Sequence, residues 1–213
     1  MGEESETDPL VLAEAHSALA RQIADRGVSA QEIAAFFDGL SAGLRLGLVR
    51  RLGRREQRDL YRKVEGFAAV GLTDLVSARR ADLEEVRHLG WNTLPLFRAF
   101  EKRFCRVPGQ DPSRPEELAG YNFQTMAPLT GPGYFVAVED PARGEVVVDY
   151  RRLPESKPAD WPEVRSNEVG LGRFVYGFMV DRLRRVSEHV TVGSAARNDR
   201  ELGSYFTLAR DDG

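Results

Sequence analysis

The sequence has few of the side chains that bind metals or form disulfides. Cys105 is the only cysteine among 213 residues, so the chain has no internal disulfide and cannot supply a thiolate cluster by itself. The three histidines, His16, His88 and His189, lie far apart and have no second metal ligand at a typical spacing. Although residues distant in sequence can meet in a fold, the sequence predicts no metal site and no cofactor.

Long apolar runs are absent as well. No run approaches the ~20 residues that a membrane helix needs, and the acidic start, from Met1 to Glu6, lacks the basic and apolar regions of a signal peptide. We therefore expect no membrane span and a cytoplasmic location. Lysine is scarce, with 3 residues against 27 arginines, which is typical of GC-rich bacterial genomes. The hydrophobic content of 42% is ordinary for a globular chain.

A β-hairpin is predicted between residues 134 and 150. Its strands are the β-branched and aromatic runs 134–138 and 145–150, and Gly144 ends the turn, where a left-handed backbone is usually needed. Alternate side chains of a strand point to opposite faces. The second strand therefore has an inward face formed by Val146, Val148 and Tyr150.

A buried helix is predicted after this hairpin. Its apolar residues recur with the 3.6-residue period of an amphipathic helix; they are Leu171, Phe174, Val175, Phe178, Met179, Leu183 and Val186. A second hairpin is predicted from the runs 189–193 and 204–209. The order hairpin, helix, hairpin predicts one antiparallel sheet with the helix packed on one face.

Residues 8 to about 104 have helical signals. Asp8-Pro9 is typical of a helix start, and Ser29 with Glu32 has the spacing of a capping box. The later predicted helices include a short one around 81–88 and an aromatic one from Thr93 through Phe104. We therefore predict an α+β fold with a helical subdomain at 1–107 and a sheet-plus-helix domain at 108–213, packed as one unit.

No catalytic motif is present. The nearest combinations of a nucleophile with a base, or of two carboxylates, are Cys105 with His88 and Asp149 with Glu139. Neither pair lies in a recognised motif, and a free cysteine is more often a small buried apolar residue than a nucleophile. The sequence therefore predicts no catalytic residue.

The strongest charge feature is the basic stretch from Arg45 to Lys63, which holds eight basic residues against two acidic ones. Such a stretch can contact nucleic acid, anionic lipid or an acidic partner. The alternative is a solvated helix face beside the acidic N-terminal helices. Because the whole chain has a net charge of −3, we favour the solvated face and expect no nucleic-acid partner.

The valine-rich strand that ends in Asp149-Tyr150-Arg151-Arg152, within the order hairpin, helix, hairpin, resembles a known superfamily. That superfamily includes haem-nitric-oxide-binding domains, bacterial 4-vinyl-reductase-type ligand-binding domains and the TRAPP vesicle-tethering subunits. The resemblance covers about residues 121–210 and implies sensing of a small molecule, holding of an acyl chain or assembly with protein partners. The haem-binding branch has a Tyr-x-Ser-x-Arg motif on the corresponding strand. Here Arg152 and Pro154 stand where that motif has serine and arginine after Tyr150, so haem binding is not implied.

The apolar bulk of the sheet and the buried helix can fill a core or line a pocket. The pocket candidates are Phe135, Val148, Tyr150, Phe174, Tyr176, Phe178 and Met179. Our leading hypothesis is a bacterial, cytoplasmic regulatory or ligand-binding domain for signalling, which holds a small apolar molecule or a protein partner. Its N-terminal helical subdomain is a candidate surface for self-association, so the partner is a second copy in a homodimer or another protein. The alternatives are a scaffold protein with no ligand and, less favoured, an enzyme whose site residues the sequence does not connect.

Overall fold

The computed structural model describes residues 8–94, 98–124, 131–167, 177–198 and 200–211. Its helices are α1 (Pro9–Ala24), α2 (Ala30–Asp38), α3 (Ala42–Arg51), α4 (Arg54–Lys63) and α5 (Leu72–Leu75). Its strands are β1 (Val86–Asn92), β2 (Ala99–Arg106), β3 (Leu118–Phe123), β4 (Tyr134–Asp140), β5 (Glu145–Asp149), β6 (Met179–Arg185), β7 (Val190–Arg197) and β8 (Arg200–Arg210). No helix in these ranges is both long enough and apolar enough to cross a bilayer.

The eight strands form a closed barrel. Each strand pairs antiparallel with the next one along the chain, and β8 pairs with β1 to close the ring. Closure leaves no unpaired sheet edge, and the alternation of side chains divides every strand into an inward and an outward face. The inward faces enclose one core, and the outward faces pack against the helices and loops.

The predicted α+β fold, a helical subdomain followed by an open sheet with a helix on one face, is wrong. The stretch that ends in Phe104 was predicted as a helix but forms β2, and the C-terminal part of the predicted buried helix forms β6. Phe100 and Phe104 are four residues apart, as are Met179 and Leu183. A spacing of four places two side chains on the same face of a helix and also of a strand.

Both predicted hairpins are present. β4 pairs with β5 and β7 pairs with β8, and Gly144 has a φ of +65° at the end of the first turn. Val146, Val148 and Tyr150 belong to the inner core, as the alternation predicted. The turn residues and the alternation of apolar side chains were therefore sufficient to predict these four strands.

Helices α1 to α4 cover one side of the barrel from outside. Their caps agree with the sequence: Asp8 accepts a hydrogen bond from the backbone of Leu10, and Ser29 and Glu32 form the capping box. Their apolar faces share a core with outward residues of β7 and β8, and the large members of this core are Leu19, Phe37, Leu48, Leu60, Val190, Val192 and Tyr205. Because β1 and β2 precede residue 107, the barrel contains strands from both sides of the predicted domain boundary.

One end of the barrel is closed by the plug segment, residues 70–76, which includes α5. Its apolar side chains join the inner core. Inward side chains at this end hold its backbone: His88 Nε2 lies 3.0 Å from the carbonyl oxygen of Leu75, Arg210 donates to the carbonyl oxygen of Asp74 at 2.6 Å, and Glu139 accepts from the amide of Leu72 at 2.8 Å. These bonds satisfy backbone groups that the barrel would otherwise bury unpaired.

Three phenylalanines of the inner core lie directly opposite glycines on neighbouring strands. The pairs are Gly90 with Phe100, Gly120 with Phe135, and Gly193 with Phe206. At each glycine, a Cβ atom would collide with the ring of its partner. The glycines therefore make room for large rings in a barrel whose interior is narrow.

Replacing Gly120 with alanine should destabilise the barrel by about 1–3 kcal/mol through overpacking. The new Cβ would meet the buried Phe135 ring and lie 2.6 Å from the carbonyl oxygen of Arg103, and neither group can move freely. Gly39→Ala is the matched control, because Gly39 has a φ of −75° and only ordinary contacts. Urea unfolding of both variants measures the difference; equal stabilities would contradict the paired packing.

Candidate functional site

A cavity of about 320 Å³ lies inside the barrel at the end opposite the plug segment. Its floor contains apolar rings and a small group of polar side chains, and its rim consists of residues near the strand ends. The lining residues used below are Phe100, Lys102, Asn122, Tyr150, Met179, Asp181, Ala195, Arg197 and Phe206. Ala195, a small inward residue on β7, leaves space on that side of the barrel.

The polar centre of the floor is the side chain of Lys102. Its Nζ donates hydrogen bonds to Asp181 Oδ2 at 2.8 Å, to Asn122 Oδ1 at 3.2 Å and to the hydroxyl of Tyr150. The Tyr150 hydroxyl in turn donates to Asp181 Oδ2 at 3.0 Å and accepts from Asn122 Nδ2 at 2.7 Å. We call these four residues the polar cluster.

The polar cluster draws on strands that are distant around the ring. Lys102 is on β2 and Asp181 is on β6, four places apart in the strand order, so the ion pair crosses the interior. Asn122 lies directly opposite Lys102 on β3, and Tyr150 follows the end of β5. A side chain as long as lysine can reach across an interior that shorter side chains would not span.

Four aromatic rings surround the Lys102 ammonium. The Nζ lies 4.9 Å from the ring centre of Tyr150, 5.0 Å from Phe206, 5.1 Å from Phe135 and 5.8 Å from Phe100. Ring faces attract a cation at these distances, and the attraction is stronger where water is excluded. The rings thus combine apolar lining with some compensation for the buried charge.

The ion pair is almost completely removed from water. The side chains of Lys102 and Asp181 are 1% and 3% exposed. Burial lowers the pKa of Lys102 from its ordinary value, and the charge of Asp181 acts in the opposite direction. Taking two charges out of water costs several kcal/mol per ion, and their attraction repays this only with good geometry and further hydrogen bonds.

One oxygen of the pair remains without a donor. Asp181 Oδ1 is buried and has no hydrogen-bond partner among the described residues, whereas Oδ2 accepts from both Lys102 and Tyr150. A buried carboxylate oxygen normally has a partner. Oδ1 therefore keeps the capacity to accept a further hydrogen bond.

The sequence-derived pocket candidates are found in several places. Tyr150 and Met179 line the cavity. Phe135 and Val148 are fully buried in the inner core, where Phe135 faces the Lys102 ammonium. Phe178 is 42% exposed. Phe174 and Tyr176 lie outside the described residues.

The sequence analysis missed Lys102, Asn122 and Asp181. The available signal was the alternation Phe100, Lys102, Phe104, in which one of only three lysines occupies an inward position between two aromatic residues. Such a residue is conspicuous only when the segment is interpreted as a strand, because in a helix position 102 faces away from 100 and 104.

The catalytic pairs considered from sequence do not form. Cys105 faces outward and is buried with Tyr121, Tyr134 and Trp161, whereas His88 faces inward and contacts the plug segment. Glu139 also binds the plug segment, while Asp149, near the other end of the hairpin, pairs with Arg151 at 2.8 Å. Within the described ranges, no three His, Cys, Asp or Glu side chains are grouped as metal ligands.

The basic stretch from Arg45 to Lys63 contains structural contacts. Arg45 is buried and donates to the carbonyl oxygens of Leu40 and Phe37. Lys63 donates to the carbonyl oxygen of Val28 at 2.8 Å. Both residues therefore tie helices to loops. The absence of a nucleic-acid partner stays a prediction.

The ion pair can be tested by a double-mutant cycle. Lys102→Met or Asp181→Leu alone leaves one charge buried without its partner, and each should cost about 3–5 kcal/mol. The double variant should recover to within about 1 kcal/mol of the parent or exceed it, because apolar side chains replace the whole pair. Urea unfolding of the four proteins measures the coupling. If the double variant loses as much unfolding free energy as the two single variants together, the two side chains do not interact.

The Cys105 thiol should be unreactive in the native protein. Burial raises its pKa to about 12, so only about one molecule in ten thousand carries the thiolate at pH 8. A thiol reagent such as dithionitrobenzoate should label the urea-unfolded chain rapidly and the native protein at a far lower rate. Equal labelling rates would place Cys105 at an accessible surface.

Comparisons with models of protein families, with curated proteins and with solved structures give no match to this chain. They therefore do not test the resemblance of residues 121–210 to the superfamily named above, and that resemblance stays a prediction.

Proposed function

We propose that the protein is a ligand-binding domain that holds a small, largely apolar molecule in the barrel cavity at the end opposite the plug segment. The observation that carries the proposal is the cavity of about 320 Å³ with the Lys102–Asp181 ion pair in its floor. Ligand sites typically have volumes of about 300–1,000 Å³, apolar walls and a few placed polar groups. The cavity has each of these properties.

The energetics of the polar cluster support the same proposal. An apolar core of similar volume is often as stable as a buried ion pair or more stable. A barrel that needed only stability could fill this space with apolar side chains, as the core next to the plug segment is filled. A costly polar group beside an unfilled cavity is typical of a binding site.

The other large cavities have a different character. One of about 500 Å³ lies between α2 and the plugged end, and one of about 690 Å³ lies between α1 and α4. Their linings include exposed charged residues such as Asp38, Glu188, Arg55 and Arg62. They are surface grooves without a buried polar centre, so the barrel cavity is the site that we assign to the ligand.

A regulatory role for this binding and a protein partner are further parts of the proposal that rest on the sequence resemblance, whereas a homodimer rests on the N-terminal helices as a surface for self-association. A scaffold protein without a ligand is the alternative, and it predicts that the cavity binds no apolar probe.

Filling the cavity tests the proposal. Ala195→Trp places a ring in the cavity from β7 and should weaken binding of the neutral fluorescent probe N-phenyl-1-naphthylamine at least about tenfold, because probe and ring compete for one volume. Overpacking should change stability by no more than about 3 kcal/mol. Probe fluorescence against protein concentration gives the affinities.

Ala68→Trp is the matched control, since Ala68 lines the cavity of about 500 Å³ outside the barrel. This variant should bind the probe as the parent does. Absence of probe binding by the parent, or equal effects of both tryptophans, would contradict the proposed site.

A further inference from the structure

The polar cluster specifies which kind of apolar molecule the cavity accepts. Resting on the proposed function, we infer that the ligand is neutral at its buried end and carries a hydroxyl or N–H group, which donates a hydrogen bond to Asp181 Oδ1. In the floor of the cavity the charges of Lys102 and Asp181 cancel, and the donors of Lys102 are engaged. Asp181 Oδ1, in contrast, has no donor among the described residues.

The charges of the floor cancel. Lys102 and Asp181 form a pair at 2.8 Å, and both side chains are almost fully buried. The other charged residue that lines the cavity, Arg197, is at the rim and partly exposed. A charged group at the buried end of a ligand would add an uncompensated charge to an enclosed space, which is strongly unfavourable. A neutral end avoids this cost.

The lysine has no hydrogen left for a ligand acceptor. An ammonium has three donors, and those of Lys102 go to Asp181, Asn122 and Tyr150. The Tyr150 hydroxyl donates its own hydrogen to Asp181 Oδ2. A ligand carbonyl or carboxylate would have to break one of these bonds in order to be bound by the ammonium. The polar cluster therefore does not favour a ligand whose polar groups are all hydrogen-bond acceptors.

Asp181 Oδ1, in contrast, is an acceptor without a donor among the described residues. The Asp181 side chain lines the cavity, and its Oδ1 is buried. Hydrogen bonds to a charged acceptor are stronger than neutral ones, and a site built to form one rejects analogues that lack the donor. A ligand hydroxyl or N–H at this oxygen completes the network, whereas an ether or a hydrocarbon leaves the carboxylate oxygen without a partner.

A matched pair of probes tests the inference on the unmodified protein. We expect 1-naphthol to bind about tenfold to hundredfold more tightly than 1-methoxynaphthalene, since the two share an aromatic body and differ in the donor. Isothermal titration calorimetry at neutral pH measures both affinities. Competition by each probe against N-phenyl-1-naphthylamine, and weakening of both by Ala195→Trp, would locate them in the cavity.

The double variant Lys102→Met with Asp181→Leu, with Asn122→Leu added, provides the chemical control. It removes Asp181 Oδ1 as acceptor without freeing the Asn122 amide oxygen that Lys102 engages in the parent. It should bind the two probes with similar affinity. A preference for 1-naphthol that persists in this variant would assign the selectivity to another group and overturn the inference.

The outcomes separate the two proposals. Equal binding of both probes by the parent protein would overturn the donor inference, because water then satisfies Asp181 Oδ1, and would leave the proposed ligand site intact. If neither probe binds in the cavity, the proposed function fails and the inference fails with it. The comparison of probes on the parent protein stands even if the control variant does not fold.

Discussion

The ion pair between Lys102 and Asp181 is the interaction on which the interior of the barrel depends. It joins strands on opposite sides of the ring, and both charges are almost completely buried. Charges in such a place need full compensation. Asn122 and Tyr150 provide hydrogen bonds, and four aromatic rings face the ammonium. These side chains, at the end of the barrel opposite the plug segment, together compensate the one buried ion pair.

The inward polar residues have different hydrogen-bond partners at the two ends of the barrel. At the plugged end, His88, Glu139 and Arg210 bind the backbone of residues 70–76, so the polar groups and the plug segment satisfy each other. At the opposite end the polar residues bind one another beside the cavity of about 320 Å³. The polar cluster therefore lies between this cavity and the apolar core that adjoins the plug segment.

Sequence reasoning succeeded where the signal was local and failed where one pattern suited two structures. The capping box of α2, the proline at the start of α1 and the left-handed Gly144 are decided within a few residues. The segments that form β2 and β6 were predicted as helices because their apolar residues recur at spacings of three and four, which also fit one face of a strand. Lys102 and Asp181 lie between those apolar residues, at positions that face inward only in a strand.

The sequence by itself determined the starts of α1 and α2, the two hairpins and the inward face of β5, because each depends on backbone conformations and on side chains that are near one another in the chain. Only the tertiary structure decided that β1 and β2 complete a ring with β8, since closure depends on pairing between residues more than a hundred positions apart. The same closure brings Lys102 to Asp181 across 79 positions. No local rule predicts that meeting, because it depends on closure of the barrel, and each buried charge then needs the other to offset its own desolvation cost.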